Sequence, residues 1–200
     1  MHRHRESFIR EAFERRMEYG LEILSAYYDQ YIHQWNKIVA IERNIRNVVV
    51  NGVPLKGKLD KLEFNNKEVN VVDYKTGDPD KSKEKLRAPY EKNPLGGDYW
   101  RQAVFYKILV DNLGNREWRV VSTEFDFIEP DKKKNYQKRK LVITPEDITT
   151  VTEQIVDTWQ KIQAHDFYTG CGKPDCHWCE FVKTNNLAIA LHDINVDEEE

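Results

Sequence analysis

No apolar run in the 200-residue sequence approaches the roughly 18 residues that a membrane-spanning helix needs, which excludes a helical membrane protein. No segment of the form G-x-x-x-x-G-K-[ST] occurs, so these residues carry no P-loop motor, and no internal repeat points to a solenoid. Cysteine is scarce. The three present fall at 171, 176 and 179, a cluster unlike the spread of paired cysteines in small secreted domains. A leader of basic residues followed by an apolar stretch is missing, and the expected setting is soluble and cytoplasmic. An excess of positive charge is missing too: 31 Lys and Arg stand against 34 Asp and Glu, a net charge of −3. Five of those acids, Asp193, Asp197, Glu198, Glu199 and Glu200, sit in the last eight residues. Without them 29 acids face 31 bases, a balance of +2 over residues 1–192. A polyanionic partner would then need only a local basic path.

Apolar residues make up 40% and charged residues 32%, a globular composition on the polar side, and the length suits one domain. Over residues 5–35, Phe8, Phe13, Met17, Leu21, Leu24, Tyr28, Tyr31 and Trp35 recur at three- and four-residue steps, predicting a long amphipathic helix with that stripe in the core. Residues 38–50 read as a strand, Asn51-Gly52 as a hairpin turn and residues 53–64 as the partner strand. A polar stretch with Pro and Gly but no periodicity fills residues 78–98, and loops of that length are functional or disordered. A helix over 99–112 follows, then a strand over 118–128 that pairs with 140–143. Thr144-Pro145-Glu146-Asp147 opens a last helix, 145–164, with Thr144 as N-cap and Asp147 at the third helical position. The predicted organisation is a helical segment over 1–36 packing on a core of 37–182, then an acidic tail over 183–200.

The chain is organised around residues 57–77, GKLDKLEFNNKEVNVVDYKTG. Val69, Val71, Asp73 and Lys75 share one face of a period-2 strand while Val72 and Tyr74 take the other, so an apolar row ends in an acid and a base. A tight turn at Asn65-Asn66 would join this strand to the preceding one and set Asp60 beside Asp73. Two carboxylates there suit Mg²⁺, which takes about six oxygen ligands at roughly 2.0–2.1 Å. Lys75 cannot ligate such an ion, but it can orient water or neutralise charge on a phosphodiester. The reaction class is metal-assisted phosphodiester hydrolysis. Glu63, on the opposite strand face from Asp60, reads as solvated.

Gly57-x-x-Asp60, then Asp73-Tyr74-Lys75-Thr76-Gly77, then Gln102-x-x-x-Tyr106 resembles the RecB/AddB-like branch of the PD-(D/E)XK nuclease superfamily, over about residues 38–182. A lone D-x-K is a weak signal, and the ordered set is far more specific. The resemblance implies an α/β restriction-endonuclease-like core, a mixed central sheet flanked by the three predicted helices. It also implies an enzyme, a Mg²⁺- or Mn²⁺-dependent deoxyribonuclease acting on a single-stranded DNA end in repair or recombination. An ATP-dependent helicase motor, fused upstream or as a separate subunit, would feed it strand. In these terms Asp60 and Asp73 ligate metal, the Tyr74 carbonyl adds a ligand, Lys75 serves the transition state, and Gln102 and Tyr106 position substrate. Glu42, one strand before G-x-x-D, is either an outer ligand or a solvent-facing acid. The family's helix histidine has candidates only in His2, His4 and His33, none in a matching context. Either that motif lies upstream of Met1, making the chain a C-terminal piece, or the histidine is not used. Two rival readings are a nuclease-like domain that binds DNA without cutting it and a zinc-stabilised nucleic-acid-binding module.

Two basic elements are candidate DNA contacts: Lys81, Lys83, Lys85 and Arg87 after the catalytic strand, and Lys132, Lys133 and Lys134, with Lys138 to Lys140, around Tyr136. For each the alternative reading is a solvated charge run. Cys171, Cys176 and Cys179 resemble part of the four-cysteine iron–sulfur site of AddB-like relatives, and no fourth cysteine is present. A missing ligand elsewhere, zinc completed by His165 or His177, and no metal at all are the three alternatives, with no metal expected for the isolated chain.

Overall fold

Left-handed turn positions set the hairpins that build the sheet. The structure is a computed structural model describing residues 9–114, 117–167, 169–170 and 175–185. Helix α1, Arg10–Tyr31, precedes strands β1, Val39–Val50, β2, Val53–Asn65, and β3, Glu68–Lys75. Asn51 and Gly52 both take positive φ (48° and 81°), the backbone of a two-residue hairpin whose twist matches its strands. The second turn is Asn66-Lys67, one residue later than the sequence suggested, because Asn66 and not Asn65 adopts the left-handed conformation (φ 57°). Two short 3₁₀ turns, Pro79–Ser82 and Glu84–Leu86, give the 78–98 stretch local order. Helix α2, Asp98–Asp111, then leads to β4, Arg119–Phe127, and β5, Lys138–Leu141. The last strand begins two residues before the expected boundary, so Lys138 to Lys140 belong to the sheet and not to the loop tip. Helix α3, Pro145–Gln163, and helix α4, His177–Thr184, complete the described elements.

The strand order is β1-β2-β3-β4-β5, antiparallel throughout except for β3 with β4, which pair in parallel with α2 in the crossover that connects them. This is the mixed α/β sheet flanked by helices that the motifs imply. The chain divides into two compact units, Met1–Thr152 and Glu153–Glu200. The second holds the C-terminal part of α3 and all of α4.

In the first unit, Ile45 and Val48 of β1, Leu59 and Leu62 of β2, Val69 and Val71 of β3 and Val120 of β4 pack with Tyr106, Leu109 and Val110 of α2. Each fully buried Val or Leu contributes roughly 1.5–3 kcal/mol of hydrophobic stabilisation. Helix α2 is buried on most of its circumference, since Trp100, Ala103, Val104 and Ile108 are covered as well. Trp100 Nε1 donates to Asp147 Oδ1 at 3.1 Å, tying α2 to the start of α3. That start is capped reciprocally: Asp147 N–H donates to Thr144 Oγ1 at 3.2 Å, and Thr144 N–H to Asp147 Oδ2 at 2.9 Å.

Helix α1 covers the other sheet face with a different stripe from the one its spacing suggested. Phe13 and Tyr27 are buried, while Leu21 is 72% exposed and Leu24 and Tyr28 are exposed as well. Tyr27 wins that position because its hydroxyl donates to the fully buried Asp126 Oδ2 at 2.5 Å, a bond no leucine could supply. Phe8 lies outside the described residues. Under α1, Glu63 is not solvated: it accepts from Lys61 Nζ at 2.8 Å and from Asn70 Nδ2 at 3.1 Å. Burial opposes its charge, but the Lys61 and Asn70 hydrogen bonds win and lower its pKa.

Candidate active site

Strand parity delivers the central acid and base. Asp73 and Lys75 continue the buried face of Val69 and Val71, and that face looks at α2. The β2–β3 register pairs Lys61 with Val72 and Leu62 with Val71, which brings Asp60 alongside the end of β3. There Asp60 Oδ2 accepts the Tyr74 N–H at 3.0 Å, so this carboxylate is held by the strand that carries Asp73. Gly57 has a packing reason for lacking a side chain, since a Cβ there would come 2.5 Å from Leu109 Cδ1 of α2.

Helix α2 supplies the rest. Gln102 and Tyr106, one turn apart, face the strand end together. Tyr106 OH donates to Asp73 Oδ1 at 2.6 Å and accepts from Gln102 Nε2 at 2.6 Å. Gln102 Nε2 also donates to Asp73 Oδ1 at 3.1 Å, while Gln102 Oε1 accepts from Lys75 Nζ at 2.8 Å. Lys75 Nζ lies 2.8 Å from Asp73 Oδ2. The glutamine amide thus has one orientation, its oxygen on the lysine and its nitrogen on the acid. Burial first, and the Asp73 hydrogen bond second, push the Tyr106 pKa far above the ordinary phenol range, so the hydroxyl stays a donor. Lys75 Nζ also sits 4.7 Å from the Tyr99 ring centre and 5.2 Å from that of Phe125, so the ammonium is held by aromatic faces as well as by oxygen.

The donor set fits a hard divalent cation. A carboxylate offers about four lone-pair sites. Asp73 has three engaged, and Asp60 Oδ1 accepts no hydrogen bond among the described residues. Glu42 stands apart from this group: its φ is 50°, its side chain is exposed, and it pairs with Lys58. No group of three or more His, Cys, Asp or Glu able to hold a metal gathers among the described residues. Cys171 lies outside them, as do His2 and His4, whereas Cys176 precedes α4 and Cys179 lies within it.

The predicted basic residues separate. Lys81 and Lys85 line a cleft of about 290 Å³ with Gly77, Asp78, Ser82, Tyr99 and Phe127. Lys83 is exposed, and Arg87 stacks on the Tyr90 ring at 3.7 Å while pairing with Glu84. Lys132, Lys133 and Lys134 are exposed on a turn fixed by Asp131, whose carboxylate accepts the backbone N–H of Lys133 at 2.8 Å and of Asn135 at 2.9 Å. Tyr136 does not stand among them as a stacking platform; its ring packs on Tyr27 at 5.6 Å and Tyr31 at 5.8 Å. Lys138 turns inward to Asp126 at 2.8 Å. The residue that sequence reasoning missed is Tyr99. It lies three residues before Gln102, and helical spacing alone would have put the two on one face.

Solved structures with a related arrangement include SSO0001, 15% identical with a TM-score of 0.40, the match covering 70% of this chain and 55% of that one. A candidate exonuclease from Eubacterium rectale is 11% identical with a TM-score of 0.49, covering 80% of this chain and 58% of that one. The chain therefore spans little more than half the length of either. No curated protein is a significant match. A model of the PD-(D/E)XK nuclease superfamily, whose nucleases generally use divalent ions such as Mg²⁺, matches residues 2–184, and on that match the chain belongs to the PD-(D/E)XK nuclease superfamily.

Proposed function

We propose that the chain hydrolyses DNA phosphodiester bonds with the help of Mg²⁺ or Mn²⁺, working from a single-stranded end in repair or recombination. The observation that carries this reading is the group of Asp73 and Lys75, organised by Gln102 and Tyr106, with Asp60 held beside them by the Tyr74 N–H, through hydrogen bonds of 2.6 to 3.1 Å. Asp60 and Asp73 are the residues that would hold the ion, with the Tyr74 carbonyl as a further oxygen. When bound, the ion supplies positive charge that activates water and stabilises the developing phosphoryl charge. Glu42 would act as an outer acid only by leaving Lys58.

The chain's own part is preorganisation. Asp73 is fixed by three donors, so its free lone pair has a set direction. Lys75 keeps its ammonium at the strand end and offers charge to a phosphate oxygen as water attacks phosphorus and the bond to the leaving sugar oxygen breaks. Gln102 holds both in register.

Lys81, Lys83, Lys85 and Arg87, with Lys132, Lys133 and Lys134, would guide the phosphate backbone. The order of G-x-x-D, VVDYKTG and Q-x-x-x-Y supports a RecB/AddB-like role beside an ATP-dependent helicase motor. Incubating the purified chain with end-labelled single- and double-stranded DNA and Mg²⁺, with and without chelator, tests the reading. Metal-dependent loss of label from single-stranded ends is expected. Binding without any cleavage would replace the enzyme with a DNA-binding domain, and stoichiometric zinc without cleavage would favour a structural module.

A further inference from the structure

The cleft just beyond β3 gathers cations that the carboxylate group does not use. The chain reverses after Lys75 at Gly77 (φ 96°), whose N–H donates to Glu129 Oε1 at 2.6 Å. Asp78 then accepts the Asp80 N–H at 2.9 Å and opens the first 3₁₀ turn, in which Pro79 and Ser82 are buried. This turn and the next place Lys81 and Lys85 on the cleft. The second turn is pinned. The Glu84 and Lys85 carbonyls lie so close to Gly97 that a Cβ there would collide with both, and the Gly97 N–H donates to Arg87 O at 2.8 Å. Tyr99 forms part of the wall, stacked on Phe125 at 5.0 Å and 26°. Lys85 Nζ lies 5.1 Å from the Tyr99 ring centre and Lys75 Nζ 4.7 Å from it, so the cleft and the candidate catalytic lysine share one aromatic residue.

Neither Lys81 nor Lys85 has a carboxylate ion-pair partner among the described residues, whereas Arg87 is engaged by Glu84 and Tyr90. Two ammoniums on successive short turns, with the one cleft carboxylate, Asp78, engaged by the Asp80 N–H and a third ammonium nearby at the reaction centre, form a site for an anion that the reaction centre also contacts. A cleft of about 290 Å³ is of the size of about one nucleotide. We propose that it is a subsite for a single nucleic-acid strand, in which Lys81 and Lys85 bind the backbone phosphate neighbouring the scissile one. This rests on the nuclease reading above.

The test is binding of a fluorescein-labelled 12-nucleotide thymidine strand to the full chain, titrated across salt in chelator so that no hydrolysis occurs. Lys81→Gln/Lys85→Gln is expected to reduce the log–log salt slope by about 0.7, the contribution of the one phosphate the pair holds on a single strand. A charge-matched control, Lys37→Gln/Lys67→Gln, is expected to change the slope by less than half as much, with melting temperatures checked for both. An unchanged slope in the first variant, or an equal change in the control, overturns the subsite. Hydrolysis with Mg²⁺, followed in parallel, separates the two claims. Cleavage by the wild type with a slope indifferent to Lys81 and Lys85 sinks the subsite alone. The expected slope change in a chain that never cleaves DNA supports the subsite and sinks the nuclease reading.

Discussion

Replacing Tyr106 by Phe removes one oxygen from the candidate site and little else, because the ring stays in the α2 core. That oxygen donates to a carboxylate at 2.6 Å and accepts from an amide at 2.6 Å. A hydrogen bond to a charged group contributes about 1.5–3 kcal/mol and a neutral one about 1 kcal/mol. Gln102 keeps its contact with Asp73 Oδ1 at 3.1 Å, so part of the amide's loss is recovered. The expected cost of Tyr106→Phe is therefore about 2–3 kcal/mol. For a chain of this length each kcal/mol lowers the melting temperature by roughly 2–4 °C, so a fall of about 4–12 °C is expected by differential scanning calorimetry. Asp73→Asn removes the charge that strengthens the bond. A double-mutant cycle should then show coupling of about 1–2 kcal/mol between positions 73 and 106, where independent sites add to within about 0.5 kcal/mol. Additive costs, or a fall below 1 °C for Tyr106→Phe, would refute the hydrogen-bonded arrangement.

Three further outcomes are expected. Gly97→Ala forces the Glu84 and Lys85 carbonyls away from α2, and should lower the melting temperature and loosen single-strand binding together, read by calorimetry and fluorescence anisotropy. Burial raises the pKa of Glu124, with Asp126 and Glu63 adding to it and Lys138 and Lys140 opposing it. The stability gained by its protonated form is full below the unfolded value near about 4.3 and is lost as pH rises through the higher folded value. Glu124→Gln should therefore melt higher than wild type at pH 7 and equally at pH 3.5, and a gain that persists at pH 3.5 would contradict the assignment. Iron analysis of protein purified in air should give well under one cluster per chain, because three cysteines fall short of the four thiolates such clusters use.

The sequence made the strands and the site legible because both follow period-2 parity. Val69, Val71, Asp73 and Lys75 had to share a face, and α2 had to present Gln102 and Tyr106 together. The inner face of α1 was not legible. Its apolar stripe points largely outward, and the deciding contact is a polar one, Tyr27 to Asp126, made across 99 residues of chain. Glu63 was misjudged for a related reason: strand parity sets it opposite Asp60, but only the packed fold shows that this face is covered and pairs it with Lys61. The basic 78–98 stretch has no periodic signal. Its order comes from 3₁₀ turns locked against a glycine, which sends Lys81 and Lys85 to the cleft and Arg87 to Tyr90.

The most direct test of the central claim is single-turnover cleavage of end-labelled single-stranded DNA by the wild type, Asp73→Asn and Lys75→Gln. Asn at 73 retains an oxygen for Tyr106 and Gln102 while losing the charge a cation needs, and Gln at 75 removes the ammonium from the strand end. The wild type should cut only with added Mg²⁺ or Mn²⁺. Each variant should be slower by about 100-fold or more, in line with loss of a charge-stabilising group worth about 3 kcal/mol. Cleavage by Asp73→Asn at the wild-type rate, or wild-type cleavage that survives excess chelator, would contradict the account.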